Sequence, residues 1–147
     1  MENTFVMIKP DGVAKKVFKN VMETFLENGL TIYNVHLMKL DEELVNEHYS
    51  HLVGRDFYPH LKEFMLSGYV ISMNVYGKDA VKKVRDIIGA TNPTKALPGT
   101  IRAIYGDKVD TTKNVIHASD SVENSKLEIA RFNNYHAKYL NKLKKNG

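Results

Sequence analysis

One histidine lies where the sequence passes from a predicted strand to a predicted helix, in the run Asn114-Val115-Ile116-His117-Ala118-Ser119-Asp120-Ser121. A histidine nucleophile needs one ring nitrogen free and unprotonated, and a partner on the other nitrogen that fixes tautomer and orientation. Glu128, a few residues further on, is suited to be that partner, and the small side chains of Ala118 and Ser119 leave room for an electrophile. This pattern suits a nucleophile at His117, but the run alone favours the simpler interpretation that the histidine only ends a strand before an ordinary capped helix.

The residues after the histidine carry the signals of a helix start. Asp120 and Ser121 are both favourable N-cap residues, and Asp120 with Glu123 three positions later fits a capping box. We therefore predict a helix over residues 122–132. This helix would carry the glutamate that partners the histidine.

Apolar periodicity predicts the other elements. The predicted strands cover residues 4–9, 30–40, 69–76 and 114–117, and the predicted helices cover residues 13–26, 41–52, 59–67 and 79–88. Periodicity stops over residues 90–113, and a loop this long inside a compact domain is usually functional. The order of elements predicts an α+β fold of the ferredoxin-like βαββαβ class. In this sandwich a four-stranded antiparallel sheet is covered by helices, with an inserted helical hairpin and the long loop.

Length and composition favour one ordinary globular domain over residues 1–147, with 43% hydrophobic and 26% charged residues. The absence of cysteine excludes a disulfide framework, a thiolate metal site and a cysteine nucleophile. The first residues lack a signal-peptide pattern, and no apolar stretch approaches the roughly 20 residues of a membrane span. We therefore expect a cytoplasmic protein that does not associate with membranes.

The formal net charge of +4 lies in a basic C-terminal tail, residues 133–147, which contains four lysines and no acidic residue. The rest of the chain is balanced between acidic and basic residues. A run of charge such as this is usually a solvated helix face. We therefore do not expect nucleic acid to be a partner, although the tail suits weak binding to an anionic surface.

Six short motifs, taken in order, resemble those of the nucleoside diphosphate kinase family, and the resemblance extends to about residue 132. The motifs are Ile8-Lys9-Pro10-Asp11-Gly12-Val13, Glu47-His48-Tyr49, Arg55 with Phe57, Gly89-Ala90-Thr91-Asn92-Pro93, Pro98-Gly99-Thr100-Ile101-Arg102, and Asn-x-x-His-x-Ser-Asp-Ser over residues 114–121. Each motif alone is weakly specific, but six in register are very specific.

The resemblance implies a ping-pong phosphotransferase. The γ-phosphoryl of a nucleoside triphosphate would pass to His117 and then to a nucleoside diphosphate, which maintains the NTP and dNTP pools. The implied substrates are ATP, GTP and other nucleoside and deoxynucleoside di- and triphosphates. The implied cofactor is Mg²⁺, held mainly by the nucleotide phosphates, and the implied assembly is a homo-oligomer, either a hexamer or a tetramer.

The resemblance also implies a phosphate site of three cations and one hydroxyl. Lys9, Arg85 and Arg102 match the family's cationic positions, and Thr91 supplies the hydroxyl. These residue types suit phosphoryl transfer, in which catalysis is mainly positioning and stabilisation of charge on the transferred oxygens. Arginine can bind phosphate through two parallel hydrogen bonds, whereas lysine acts as a point charge.

Five further residues match positions around the nucleotide. By the resemblance, Phe57 stacks on the nucleobase, Tyr49 lies near the active histidine and Asn114 bonds a ribose hydroxyl. Ser119 and Glu128 support the histidine. Stacking tolerates any base because every base has a π-face, which suits an enzyme with broad base use.

The chain departs from the family pattern at Ala118, where the family usually has glycine, in a slightly longer loop over residues 103–113, and in a tail without the usual aromatic segment. The competing hypothesis is a non-catalytic nucleotide- or nucleic-acid-binding regulatory protein on the same fold. A P-loop kinase is excluded because no G-x-x-x-x-G-K-[ST] motif occurs. The other histidines are predicted to be structural or on the surface, with His51 expected beside the nucleotide cleft: His36, His48, His51, His60 and His136.

Overall fold

The computed structural model describes residues 1–146, which form a four-stranded sheet with helices on both faces. The strands are β1 (Glu2–Ile8), β2 (Thr31–Met38), β3 (Val70–Gly77) and β4 (Ile116–Ala118). They lie in the order β2-β3-β1-β4, and every neighbouring pair is antiparallel. The helices are α1 (Pro10–Ala14), α2 (Phe18–Glu27), α3 (Glu42–His48), α4 (Tyr58–Leu66), α5 (Ala80–Ile88), α6 (Ile101–Tyr105) and α7 (Val122–Asn146). Short 3-10 turns occur at Ser50–Leu52 and Pro93–Lys95.

One face of the sheet packs against α2 and α5. Val6 and Ile8 of β1 point to this face, because alternate residues of a strand face the same side. They are buried with Val21 and Phe25 of α2 and with Val84 of α5. The apolar stripe predicted for the first helix therefore faces the sheet.

The opposite face packs against α3, α4 and α7. Phe5 and Met7 of β1 point to this side and are buried with Val45 of α3, Met65 of α4 and Phe132 of α7. Two cores thus share one sheet. This arrangement confirms the predicted ferredoxin-like α+β fold with its inserted helical hairpin, α3 and α4.

The predicted single helix over residues 13–26 is wrong, because the segment forms two helices, Pro10–Ala14 and Phe18–Glu27. Lys16 between them has φ of 59° and breaks the helical path. Val17 is nevertheless buried beneath the break. Apolar periodicity indicates which residues are buried. Here the apolar spacing continues across the break, although the helical hydrogen bonds of the backbone are interrupted there.

The predicted structureless loop over residues 90–113 contains a 3-10 turn, Pro93–Lys95, and the helix Ile101–Tyr105. The hydroxyl of Thr100 caps that helix by accepting a hydrogen bond from the backbone N–H of Ala103 at 3.4 Å. A helix of five residues is too short to show an apolar period, which explains why the sequence pattern missed it.

The C-terminal helix is longer than predicted, since Val122–Asn146 is one continuous helix that runs through residue 132 into the basic tail. Tyr135 and Tyr139 continue its apolar face and pack against the core beneath α3 and α4. Among residues 1–146, no helix combines the length and the hydropathy needed to cross a membrane.

The N-terminus of α7 is capped by Ser121, and the predicted capping box of Asp120 with Glu123 is wrong. The Ser121 hydroxyl accepts a hydrogen bond from the backbone N–H of Asn124 at 3.1 Å. The Asp120 carboxylate instead accepts from the side-chain amide of Asn124 at 2.5 Å. The helix begins at Val122, as predicted, with Ser121 as its N-cap.

Candidate active site

A cleft of about 640 Å³ opens at the end of β4, between the α3–α4 hairpin and the loop over residues 90–113. Nine of the ten residues predicted from the sequence line it: Lys9, Tyr49, Phe57, Arg85, Thr91, Arg102, Asn114, His117 and Glu128. The tenth, Ser119, is fully buried behind Glu128. The fold therefore brings together residues from five separate segments of the chain.

His117 lies in β4 opposite Met7 of β1, with its imidazole at the cleft. Its Nε2 is 2.6 Å from Oε1 of Glu128, and the Ser119 hydroxyl donates a hydrogen bond to the same oxygen at 3.0 Å. A carboxylate accepts hydrogen bonds, so Nε2 is the protonated nitrogen and Nδ1 keeps its lone pair. The imidazole thus has the orientation and tautomer that a nucleophile requires.

A strained turn precedes the histidine and displaces the predicted start of the strand. The backbone N–H of Ile116 donates to the carbonyl of Asn114 at 2.8 Å, and Val115 between them has φ of 64°. Such a three-residue turn is rare, and a positive φ is costly for a β-branched residue. The prediction that the strand begins at residue 114 is therefore wrong, and the strand starts at Ile116.

The turn is held in place by the segment that follows β1. The Asp11 carboxylate accepts from the N–H of Val115 at 3.2 Å, and the N–H of Lys9 donates to the Val115 carbonyl at 2.8 Å. Gly12 also lies against this carbonyl, so that a Cβ added there would be 2.5 Å from the oxygen. The Lys-Pro-Asp-Gly motif therefore supports the turn as well as supplying a cation.

Lys9 and Asn114 form a buried pair at the floor of the cleft. The Lys9 ammonium donates to Oδ1 of Asn114 at 2.8 Å, and the Asn114 amide donates to the carbonyl of Thr91 at 2.9 Å. Burial, aided by the charge of Arg102, lowers the pKa of Lys9 to about 7. An asparagine side chain has two donors and two acceptor lone pairs, so Asn114 keeps capacity for a ligand.

Two arginines add positive charge beside Lys9. Arg102 donates to the carbonyls of Ile116 at 2.6 Å and Gly89 at 3.0 Å, and its Nε is buried without a hydrogen-bond partner. Burial, followed by the charge of Arg85, lowers the pKa of Arg102 to about 10. Arg85 lies 3.5 Å from the carbonyl of Ala118. This part of the cleft is rich in cations and suits an anionic ligand.

The outer wall of the cleft is aromatic. The ring of Phe57 is 42% exposed, and the guanidinium of Arg55 lies 5.7 Å from its centroid. Tyr49 is buried deeper, with a hydroxyl that has no hydrogen-bond partner, and burial raises its pKa. His51 also lines the cleft, as expected. An exposed flat ring at the mouth and cations at the floor suit a ligand with an aromatic part and an anionic part.

Several lining residues were not predicted from the sequence. His48 was expected to be structural, but its ring lies edge-to-face on His117 with centroids 4.8 Å apart. Asp120, Asn124 and Thr112 also line the cleft. The position of His48 in the Glu47-His48-Tyr49 motif was the available signal for it. Thr112 lies in the aperiodic loop and gave none.

The cleft contains few groups suited to hold a metal by themselves. Ligand atoms of His48, His117 and Glu128 lie within 4.8 Å of one another. However, Glu128 is already bonded to His117 and Ser119, and buried Lys9 is near. Asp120 is the other carboxylate lining the cleft, and its hydrogen bond from Asn124 lowers its pKa. Hard divalent cations prefer charged oxygens, and these two carboxylates are the acidic side chains that line the cleft.

Comparisons with known proteins agree with this geometry. The family model described as nucleoside diphosphate kinase matches residues 2–137. The nucleoside diphosphate kinase of Bacillus licheniformis is 45% identical over 132 residues, which cover 90% of this chain and 88% of that protein. The corresponding protein of Desulforamulus reducens is 42% identical over 132 residues, covering 90% and 87%.

Solved structures give the same result. The crystal structure of the apo nucleoside diphosphate kinase from Encephalitozoon cuniculi has a TM-score of 0.84 and 43% identity, covering 89% of this chain and 88% of that one. The halophilic nucleoside diphosphate kinase from Halobacterium salinarum, in complex with CDP, has a TM-score of 0.84 and 40% identity, covering 89% and 86%. Fold and cleft thus define a phosphotransferase class. The chain belongs to the nucleoside diphosphate kinase family, whose enzymes transfer a phosphoryl group between nucleoside tri- and diphosphates and need a divalent cation.

Proposed function

We propose that this enzyme transfers the γ-phosphoryl group through a phosphohistidine at His117. The observation that carries the proposal is the 2.6 Å contact of Nε2 with Glu128, which leaves the lone pair of Nδ1 on a side chain that lines a cleft rich in cations. In the first half-reaction an Nδ1–P bond forms and the bond from Pγ to the β–γ bridging oxygen breaks, which releases the nucleoside diphosphate. In the second, a terminal oxygen of another diphosphate attacks the same phosphorus and the N–P bond breaks.

Glu128 and Ser119 act as supports for the nucleophile. As His117 bonds to phosphorus its ring gains positive charge, and the carboxylate on Nε2 stabilises that charge. The Ser119 hydroxyl holds the carboxylate in place from behind, at 3.0 Å. Because both partners are buried, the ring keeps one orientation through both half-reactions.

Lys9, Arg85, Arg102 and the hydroxyl of Thr91 bind the phosphates in this proposal, with Tyr49 near the reacting histidine. The unpartnered Nε of Arg102 supports it, because this buried cationic donor is available to an anionic ligand. Negative charge that spreads over the transferred oxygens would be stabilised by these fixed cations.

The rest of the nucleotide fits the outer cleft. We assign the base to the exposed face of Phe57 and a ribose hydroxyl to Asn114, whose side chain keeps unused hydrogen-bonding capacity. Stacking on an aromatic ring tolerates any base, which supports use of ATP, GTP and the other ribo- and deoxyribonucleotides. The divalent cation would be Mg²⁺, held mainly by the phosphates, where it would neutralise charge and orient the phosphoryl group.

The proposal extends to assembly and location. We propose a homo-oligomer, either a hexamer or a tetramer, and sedimentation analysis of the purified chain tests it. We also propose a cytoplasmic location, which cell fractionation tests.

The alternative, a regulatory protein that binds nucleotide without turnover, is not favoured by the comparisons. Incubation with γ-labelled ATP and Mg²⁺ tests the proposed step. Wild type should acquire an acid-labile label that discharges onto added nucleoside diphosphate, and His117→Asn should acquire none. His136→Asn is the matched control, since it removes a histidine that stacks on His36, outside the residues that line the cleft. A discharging label that persists in His117→Asn would refute the role of His117.

A further inference from the structure

A second histidine lies against the proposed nucleophile and lines the same cleft. His48, in the last turn of α3, is buried, and its ring plane makes an angle of 82° with that of His117 at a centroid distance of 4.8 Å. The ring of Phe132 also lies edge-to-face against the His48 ring, with the two centroids 5.2 Å apart. Because the two imidazoles touch, the orientation of His48 limits the orientations open to His117.

The ring of His48 is itself held by a cation from α7. A terminal nitrogen of Arg131 lies 3.0 Å from Nδ1 of His48. A guanidinium has donors and no acceptor, so Nδ1 must accept this bond and must be unprotonated. Burial lowers the pKa of His48 well below its ordinary value, and the nearby charge of Arg131 acts in the same direction. His48 is therefore neutral with its hydrogen on Nε2.

Arg131 and Glu128 lie three residues apart on α7 and therefore on the same side of the helix. Glu128 contacts Nε2 of His117, while Arg131 contacts Nδ1 of His48. One helix turn thus engages both members of the histidine pair. Glu47 lies 3.6 Å from Nε of Arg131 but is 61% exposed, so it is a peripheral neighbour of this arrangement.

We infer that Arg131 is a positioning residue: it fixes the tautomer and ring angle of His48, and through this edge-to-face contact it holds His117 in the orientation for attack. The inference rests on the proposed role of His117. It assigns to Arg131 no contact with the nucleotide. Its loss should therefore slow phosphorylation of the enzyme without weakening nucleotide binding.

The experiment compares wild type with Arg131→Leu, and uses Glu47→Gln as the matched control. Nitrogen-15 NMR of the imidazoles should show one Nε2–H tautomer for His48 in wild type and in Glu47→Gln, and a tautomer mixture in Arg131→Leu. The single-turnover rate of phosphorylation by ATP should fall about 3- to 10-fold in Arg131→Leu, the range expected for loss of one hydrogen bond. The Kd for ADP, measured by calorimetric titration of the unphosphorylated enzyme, should not change.

An unchanged tautomer or an unchanged rate in folded Arg131→Leu would overturn the inference. Arg131→Lys keeps the charge and an N–H donor, so it should retain the wild-type tautomer, and a tautomer mixture in this variant would count against the donor role. If Arg131→Leu does not fold, the NMR spectrum of wild type alone tests the inference. A protonated Nδ1 on His48 in wild type would contradict it. The NMR measurement needs no turnover, so a failure of the proposed His117 chemistry would be recognised separately, by absence of label on wild type.

Discussion

Lys9 should make the stability of the enzyme depend on pH in an unusual range. Its pKa is about 7 in the folded protein, against an ordinary value of 10.5, chiefly because the ammonium is buried. Between these two values the unfolded chain binds a proton that the folded chain does not, so stability rises with pH across this window. Below about pH 7 both states are charged, and the folded protein bears the full cost of the buried charge.

The size of the effect follows from the two values. A difference of this size between folded and unfolded pKa corresponds to roughly 5 kcal/mol in the free energy of unfolding, which accumulates from pH 7 to pH 10.5. The variant Lys9→Met removes the titrating group and keeps most of the buried chain. We expect urea unfolding between pH 6.5 and about 10 to show wild type gaining several kcal/mol relative to Lys9→Met.

The control is Lys19→Met, which removes a lysine whose side chain is 82% exposed. This variant should follow the pH profile of wild type. If Lys9→Met has the same pH profile as wild type over this range, the buried ammonium does not titrate there, and the reasoning from burial is wrong.

Two further predictions concern the turn and the outer wall of the cleft. Gly12→Ala should lower the free energy of unfolding by about 2 to 4 kcal/mol, because its Cβ would lie 2.5 Å from the Val115 carbonyl oxygen. Gly54→Ala, where no atom lies within 4 Å of the added Cβ, should be nearly neutral in the same thermal and urea unfolding measurements. Equal stability of the two variants would contradict the close approach. Phe57→Ala should weaken nucleotide binding about 5- to 150-fold, the loss expected for one stacked base, with little change in stability because the ring is partly exposed. Calorimetric titration with ADP and GDP checks this, and unchanged affinities would rule out stacking on this ring.

The sheet and its two apolar faces could be predicted from the sequence, because buried residues recur at the regular spacing of a strand or a helix. Val21 and Phe25 mark one face of α2, and Phe5 and Met7 alternate with Val6 in β1. These apolar patterns do not indicate which backbone groups are hydrogen-bonded to each other. They therefore missed the break at Lys16 and placed the start of β4 too early.

The strained turn at Val115 shows a different limit. No intrinsic preference of valine predicts φ of 64°, because the conformation is imposed by Asp11, Lys9 and Gly12, which are about a hundred residues away in sequence. Tertiary contacts of this kind override local propensity. The motif containing these three residues was recognised, but its structural effect on the histidine turn was not.

The residues of the cleft were predicted mainly from the order of the sequence motifs. The contact between His48 and Arg131 was not predicted. Arg131 follows Glu128 by three positions on a helix, a spacing that ordinary surface residues also show. Only the packing of α3 against α7 identifies His48 as its partner. A contact between side chains on two helices that are distant in sequence produces no regular spacing of residues from which it could be predicted.

Because α7 is one continuous helix, it limits the positions at which residues can be inserted or deleted without disturbing the cleft. Each residue inserted in an α-helix turns everything beyond it by about 100°, so one insertion between Ser125 and Phe132 would move Glu128 or Arg131 off the side facing the histidines. Beyond Tyr139 the helix residues are mostly exposed. Insertions, deletions and attached tags should therefore be tolerated there, roughly 16 Å or more along the helix from Glu128, while the turns nearer the cleft keep a fixed length.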